Sequence, residues 1–186
     1  AQTTYEKKVF DVLCADGTAP AVLAVLRQIS REEVSVHIAA LQAAVWNQTV
    51  RLALPRYWTG NFWVAGGRCG DYVFPAGVCP AFAGMDIPTA AARLTMPDVF
   101  WKNCYEDALT AEGISTVLFR RWKLRQGYFS STPRPLVVVP EHLYWEKQHD
   151  NGGQLLSSLR LSFVLQPGAY ATMFLKNLSA RQRRSS

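Results

Sequence analysis

The sequence predicts an α+β protein in which helices and short strands intermix. Three observations carry that reading. A capping signal opens a long run of apolar residues at steps of three and four, which marks one extended helix. A Gly- and Pro-rich middle cuts aromatic and β-branched pieces into short strands. Near the C-terminus an alternating apolar run leads through Pro-Gly into a last helix. Apolar residues make up 49% and charged residues 18% of the 186, which supports a packed core and excludes disordered and fibrous classes.

Taken in order, the first nineteen residues carry no decisive signal, and the apolar segment Ala21 to Ile29 predicts a helix. Ser30-Arg31-Glu32-Glu33 is a capping-box pattern, in which a hydroxyl and a carboxylate satisfy free amides at a helix start. Val34, Ile38, Leu41, Val45, Thr49 and Leu52 then form one stripe, which Pro55 is expected to end. Between Arg56 and Arg93, turns at Gly60, Gly66, Gly67, Gly70, Gly77 and Gly84, with Pro75, Pro80 and Pro88, leave Asn61 to Val64 and Asp71 to Phe74 as strands. Thr95, Pro97 and Asp98 mark a second helix start, and Gly113 its stop. A short helix follows with Ile114, Leu118 and Trp122 on one side and Arg120, Arg121, Lys123 and Arg125 on the others.

Leu136 to Val139, continuously apolar, predicts a strand buried on both faces. Leu159 to Leu165 alternates and predicts a strand with Leu159, Leu161, Phe163 and Leu165 on one side. Residues 148–154 read as a polar loop. After Pro167-Gly168, Tyr170, Phe174 and Leu178 are expected on one side of the final helix, and Arg181, Arg183 and Arg184 form a basic tail. No internal repeat is present.

Twenty Lys and Arg against fourteen Asp and Glu give a net charge of +6, which favours a polyanionic partner. A basic domain with a protein partner is the bland alternative. Cys14, Cys69, Cys79 and Cys104 are widely spaced and His37, His142 and His149 are scattered, so they form no zinc constellation and no metal is expected. The thiols read as reduced and the protein as intracellular, with nucleus, cytoplasm and mitochondrion not distinguished. No apolar run is long enough to span a bilayer, and Lys7 and Lys8 precede only a brief apolar stretch containing Asp11, so neither membrane nor signal peptide is expected.

No nucleophile elbow, P-loop, dinucleotide fingerprint or metal-binding His-Glu-x-x-His occurs. The carboxylate pairs Glu32-Glu33 and Glu106-Asp107 fall in helices, where they are solvated or complement the dipole. Arg120, Arg121, Lys123 and Arg134 could contact phosphates while Trp122 or Tyr128 stacks on a base. The alternative is a solvated helix face with its aromatics in the core. Tyr170, at the mouth of the last helix, suits packing on an extruded base, although core packing fits its spacing equally.

Leu165-Gln166-Pro167-Gly168-Ala169-Tyr170-Ala171-Thr172-Met173 resembles the C-terminal Leu-Pro-x-x-x-Tyr-Ala-Thr-Met signature of the TruD-type tRNA pseudouridine synthases, eukaryotic branch, with one extra residue between Leu and Pro. Gln42-Ala43-Ala44-Val45-Trp46-Asn47 is similar to the family's Gln-Ser-x-Val-Trp-Asn, and Gly70-Asp71-Tyr72-Val73 to its Gly-Asp-Leu-Val turn. Arg134, then Pro140, Leu143 and Trp145, is similar to its Arg…Pro-x-x-Leu-x-Trp. The blocks run in family order from Ser30 to Leu178.

The resemblance implies RNA as partner, tRNA foremost, and isomerisation of uridine to pseudouridine by an aspartate without metal or organic cofactor, after the nucleotide leaves its stack. It places Tyr170 against the target base, Pro167, Gly168, Ala169 and Thr172 in the pocket wall, and Gln42 and Asn47 in the scaffold. It divides the chain into an insertion domain, 1–157, and the returning strand, helix and tail of the catalytic domain, 158–186. The family's Gly-Thr-Lys-Asp and Asn-x-Phe-Gly-x-Gln-Arg-Phe-Gly motifs are missing, and none of the seven aspartates has that context. This chain is therefore expected to hold no catalytic residue. It reads as the C-terminal part of a longer synthase, which the start at Ala1 rather than Met favours, or as a non-catalytic RNA-binding or assembly subunit of the same descent.

Overall fold

A computed structural model describes residues 4–15, 17–67, 70–77, 79–122, 124–149 and 157–182. It shows the mixed α+β class, with helices and small antiparallel sheets. The chain divides into two compact units, Ala1–Thr59 with Ile87–Pro133 and Gly60–Asp86 with Arg134–Ser186. Residues 134–157 thus share a unit with 158–186.

The first unit is helical. Helices α1 (Thr4–Ala15) and α2 (Ala19–Leu26) pack together, so residues 4–15 of the stretch without a decisive signal form a helix. Helix α3 (Arg31–Tyr57) opens where the capping signal places it, with the Ser30 hydroxyl accepting the Glu33 N–H at 3.2 Å. Val34, Ile38, Val45 and Thr49 are buried, joined by Ala53 and Leu54. Pro55 does not end the helix. A proline's fixed φ is helical and its missing N–H forfeits one bond, a small loss in the last turn, and Trp58 N still donates to Leu54 O at 2.9 Å.

Helix α4 (Val99–Ala111) starts at Asp98, whose carboxylate accepts the Trp101 N–H at 3.0 Å, and ends near Gly113, which takes φ +66°. It packs against α3. Ile29, Val34, Ile38, Val45, Ala90, Ala91, Tyr105, Leu109, Phe119 and Phe129 make one cluster. Helix α5 (Thr116–Arg120) is a single capped turn, and the expected stripe through Leu118 is displaced by one residue. Phe119 is buried and Leu118 exposed, because Phe119 stacks edge-on against Phe129 at 4.9 Å and the helix ends before Trp122.

In the second unit, β1 (Phe62–Ala65) and β2 (Tyr72–Pro75) pair antiparallel over the two expected strand pieces. Strands β3 (Asp86–Pro88) and β4 (Pro133–Pro135) form a separate two-stranded sheet. The buried strand expected over Leu136 to Val139 does not form: Val139 is 75% exposed and Val137 is also exposed. Pro133, Pro135 and Pro140 offer no ladder donors on either side of that run. The strand forms beyond Pro140 instead, as β5 (Glu141–His149), which pairs antiparallel with β6 (Ser157–Val164). The second strand matches expectation to within two residues. A register shift between Glu141 and Tyr144 accommodates His142 at φ +50°. Of the expected loop 148–154, Gln148 and His149 belong to β5, and the rest lies outside the described residues, as do Cys69, Arg183 and Arg184. Helix α6 (Ala171–Gln182) packs on β1, and Phe174 stacks against Phe163 of β6 at 4.9 Å. No helix among the described residues is long and apolar enough to cross a membrane.

The α4 residue Tyr105 is 6% exposed, its hydroxyl has no hydrogen-bond partner, and burial pushes its pKa from 10 up to about 12. Below pH 10 the phenol is protonated folded and unfolded. Between pH 10 and about 12 the unfolded chain releases that proton first, so stability falls as pH rises. Tyr105→Phe is expected to match or exceed wild-type stability at neutral pH, by about 1 kcal/mol at most, and to show a shallower alkaline decline. Urea midpoints across that window test this, and identical alkaline slopes would contradict it.

Candidate functional site

The second unit presents the residues that the C-terminal motif singles out. After β6 the chain turns at Gln166 to Ala169, where Ala169 N donates to Gln166 O at 3.1 Å. Gly168 takes φ +85°, a conformation that side chains other than glycine adopt at a cost. Pro167, Gly168 and Thr172 are exposed and Ala169 half-buried. Tyr170 stands between this turn and α6, and its carbonyl accepts the Met173 N–H at 3.0 Å. The helical stripe expected for Tyr170, Phe174 and Leu178 therefore loses its first member. Helical register begins at Ala171, Phe174 turns inward onto Phe163, and the Tyr170 side chain is 58% exposed. Core packing is excluded for that ring.

Arg134 of β4 lies over the ring, its Cζ 5.6 Å from the centroid. At a wet site this cation–π contact contributes on the order of 0.5–1 kcal/mol, enough to bias both side chains toward each other. The pair sets a guanidinium beside an aromatic face, chemistry suited to a phosphate and a base. A second such pair lies in the same unit, where Lys176 Nζ of α6 is 3.9 Å from the Tyr72 ring centroid.

Of the four expected cations, three fall among the described residues, in two different units. Arg134 belongs with Tyr170 in the second unit, whereas Arg120 and Arg121 are exposed at the end of α5 in the first. Lys123 lies outside the described residues. Trp122 is not presented to a ligand. Its ring packs edge-on against Phe129 at 5.0 Å and its indole N–H donates to Gly127 O at 2.8 Å. Tyr128, in contrast, is 71% exposed.

Gln42 is a framework residue: its Nε2 donates to Ala90 O at 2.7 Å and to Ser130 O at 2.9 Å. Trp46 donates from its indole to Ile87 O at 2.9 Å. The carboxylate pairs have ordinary employment. Asp107 pairs with Arg56 at 3.0 Å, Glu106 lies 3.8 Å from Lys102, and Glu32, exposed, and Glu33, half-buried, sit in the first turn of α3. Cys104 is buried 3.7 Å from Arg56 Nη1, and burial pushes its thiol above the ordinary range, which disfavours a nucleophilic thiolate. Among the described residues no three His, Cys, Asp or Glu side chains gather as a metal site.

Sequence reasoning missed the partnership of Arg134 with Tyr170. Both residues stood out, but nothing in their spacing relates a β4 residue to the residue before α6. No family model matches this chain and no curated protein matches it, so the site stands on its own geometry.

Proposed function

We propose that this chain is the C-terminal part of an RNA pseudouridine synthase of the TruD type, acting on uridine in RNA, tRNA foremost. The insertion domain then covers residues 1–157, and residues 158–186 are the returning strand, helix and basic tail of the catalytic domain. The observation that carries the reading is the exposed Tyr170 ring on a Pro167-Gly168 turn, with the Arg134 guanidinium over it. An exposed ring beside a cation supports recognition of an unstacked nucleotide, because the ring takes the base face and the cation the backbone charge. The framework role of Gln42 agrees with the place the resemblance gives it.

The chain's own residues would bind and orient. Tyr170 lies against the target base, and Pro167, Gly168, Ala169 and Thr172 shape the wall around it. The aspartate that acts on the nucleoside belongs to an upstream segment. During isomerisation the N-glycosidic bond breaks, the base rotates, and it rejoins through carbon, so a flat ring that holds the base without locking its orientation suits the wall. A non-catalytic RNA-binding or assembly subunit is the competing outcome, decided by the first measurement below.

Two outcomes are expected. The 186-residue chain alone forms no pseudouridine on uridine-containing tRNA, whereas a protein joining it to an upstream segment bearing Gly-Thr-Lys-Asp does; silence from the joined protein favours the non-catalytic subunit. In the joined protein, Tyr170→Leu lowers turnover about tenfold or more with an unchanged melting temperature, since one base–aromatic stack is lost. Unaltered turnover would remove Tyr170 from the pocket.

A further inference from the structure

A second exposed tyrosine sits in the first unit, in a setting that the C-terminal motif does not explain. The segment from Gly127 to Thr132 lies along α3, and between them is a groove of about 300 Å³ whose lining includes Arg31, Ser35, Gln42, Tyr128, Ser130 and Thr132. The groove is walled mostly by polar groups, unlike a surface for an apolar helix or peptide. Its volume is at the small end of ligand sites, sized for one compact unit.

The segment is held rigidly from several directions. Gly127 is seated so closely that a Cβ there would come within 2.7 Å of Ile38 Cδ1 and 3.1 Å of Val34 Cγ1. Its carbonyl accepts the Trp122 indole N–H, and neighbouring Gln126 donates from Nε2 to Arg27 O at 2.6 Å. Farther along, Ser130 O accepts from Gln42 Nε2, while the Thr89 N–H donates to Thr132 O and the Thr132 N–H donates to the Thr89 hydroxyl, each at 3.0 Å. Gly127 and Phe129 are buried, yet Tyr128 between them is 71% exposed. The ring is therefore presented by a fixed backbone, and loop mobility does not account for its exposure.

Around the ring are the other groups a nucleotide needs. Arg31 is exposed at the first position of α3, and Ser35 beneath it donates its hydroxyl to Arg31 O at 2.8 Å, leaving the oxygen's lone pairs to accept. Ser130 and Thr132 are exposed, with hydroxyls not used by the bonds that hold the segment. Glu32 and Glu33 lie in the same turn of α3 but do not line the groove.

We propose that this groove is a subsite for one nucleotide of single-stranded RNA, with the Tyr128 ring on the base, the Arg31 guanidinium on a phosphate, and the hydroxyls of Ser35, Ser130 and Thr132 on the sugar and base edge. The inference deepens the RNA reading above and rests on it, but uses a different unit from Tyr170 and needs no catalysis.

The test is binding of a short fluorescein-labelled oligouridylate to the full 186-residue chain, followed by anisotropy across a salt series. Tyr128→Ala is expected to weaken binding about tenfold and Tyr128→Phe to preserve it, because the ring face is what stacks. Arg31→Glu is expected to weaken binding and to reduce the salt slope by about one. Both side chains are exposed, so melting temperatures should be unchanged; should Tyr128→Ala melt early, Arg31→Glu decides. Wild-type affinity and slope in Tyr128→Ala and Arg31→Glu, with the wild-type chain binding, would overturn the subsite and leave the RNA reading standing. No binding by the wild-type chain would overturn both.

Discussion

A single amide nitrogen ties two loops of the first unit to the middle of its longest helix. Nε2 of Gln42 donates to Ala90 O and to Ser130 O, carbonyls far apart in the chain. The stripe beside it, with Val34, Ile38 and Val45 buried, supplies more free energy: each such side chain contributes roughly 1.5–3 kcal/mol, against about 0.5–1.5 kcal/mol net for a hydrogen bond. Apolar burial is indifferent to register, however, whereas Gln42 accepts only one. With the amide lost, Ala90 O stays behind in a residue 1% exposed, and such a carbonyl without its partner costs about 1–3 kcal/mol. The stripe holds the unit together, and Gln42 decides where the loops lie on it.

The consequence for the surface is an in-out alternation along the segment after α5. Leu124, Gly127 and Phe129 face inward, and Arg125 and Tyr128 face out. Gly127 makes this easy, since a Cβ there would meet Ile38 Cδ1 at 2.7 Å and Val34 Cγ1 at 3.1 Å and would have to push those side chains aside. The edge-on stack of Phe129 with Phe119 and Trp122 then fixes the inward partner. An exposed ring at 128 follows from two neighbours that must both be buried.

Legibility in the sequence divides along the same physical lines. Features set by local chemistry could be read directly: the Ser30 cap, the Asp98 cap, the α3 stripe, the two strand pieces beside Gly70, and the alternation of β6. Features set by competition between distant residues could not. Leu136 to Val139 has a strand's composition, but prolines on both sides remove the donors, and the ladder moves to Glu141–His149, where the pattern shows no clean alternation. Leu118 fits a helical stripe, but the pull of Phe129 on Phe119 wins. The site was legible as residue types and illegible as partnerships. Tyr170 could be singled out by its motif, but its cation could not be assigned.

Exposure by itself does not make a tyrosine functional, because single apolar residues are commonly left on protein surfaces. Tyr144 and Trp145 of β5 are 60% and 59% exposed on a two-stranded ribbon, and that fact alone says nothing of a ligand. Tyr128 and Tyr170 differ because each ring comes with a cation and with a backbone that has reason to be where it is. At Tyr170 the reasons are the left-handed Gly168 and the start of α6, with Arg134 over the ring. At Tyr128 they are the Gly127 seat, the Gln42 tie and Arg31 in the same groove. Burying such a ring would yield up to a few kcal/mol, and a flexible loop would be free to gain it by folding the ring inward. A pinned backbone forgoes that gain permanently. What the fold retains is a ring on a held backbone, with a cation over it at Tyr170 and a cation lining the same groove at Tyr128, so that a nucleotide meeting either would lose less entropy in ordering the site than one meeting a mobile loop.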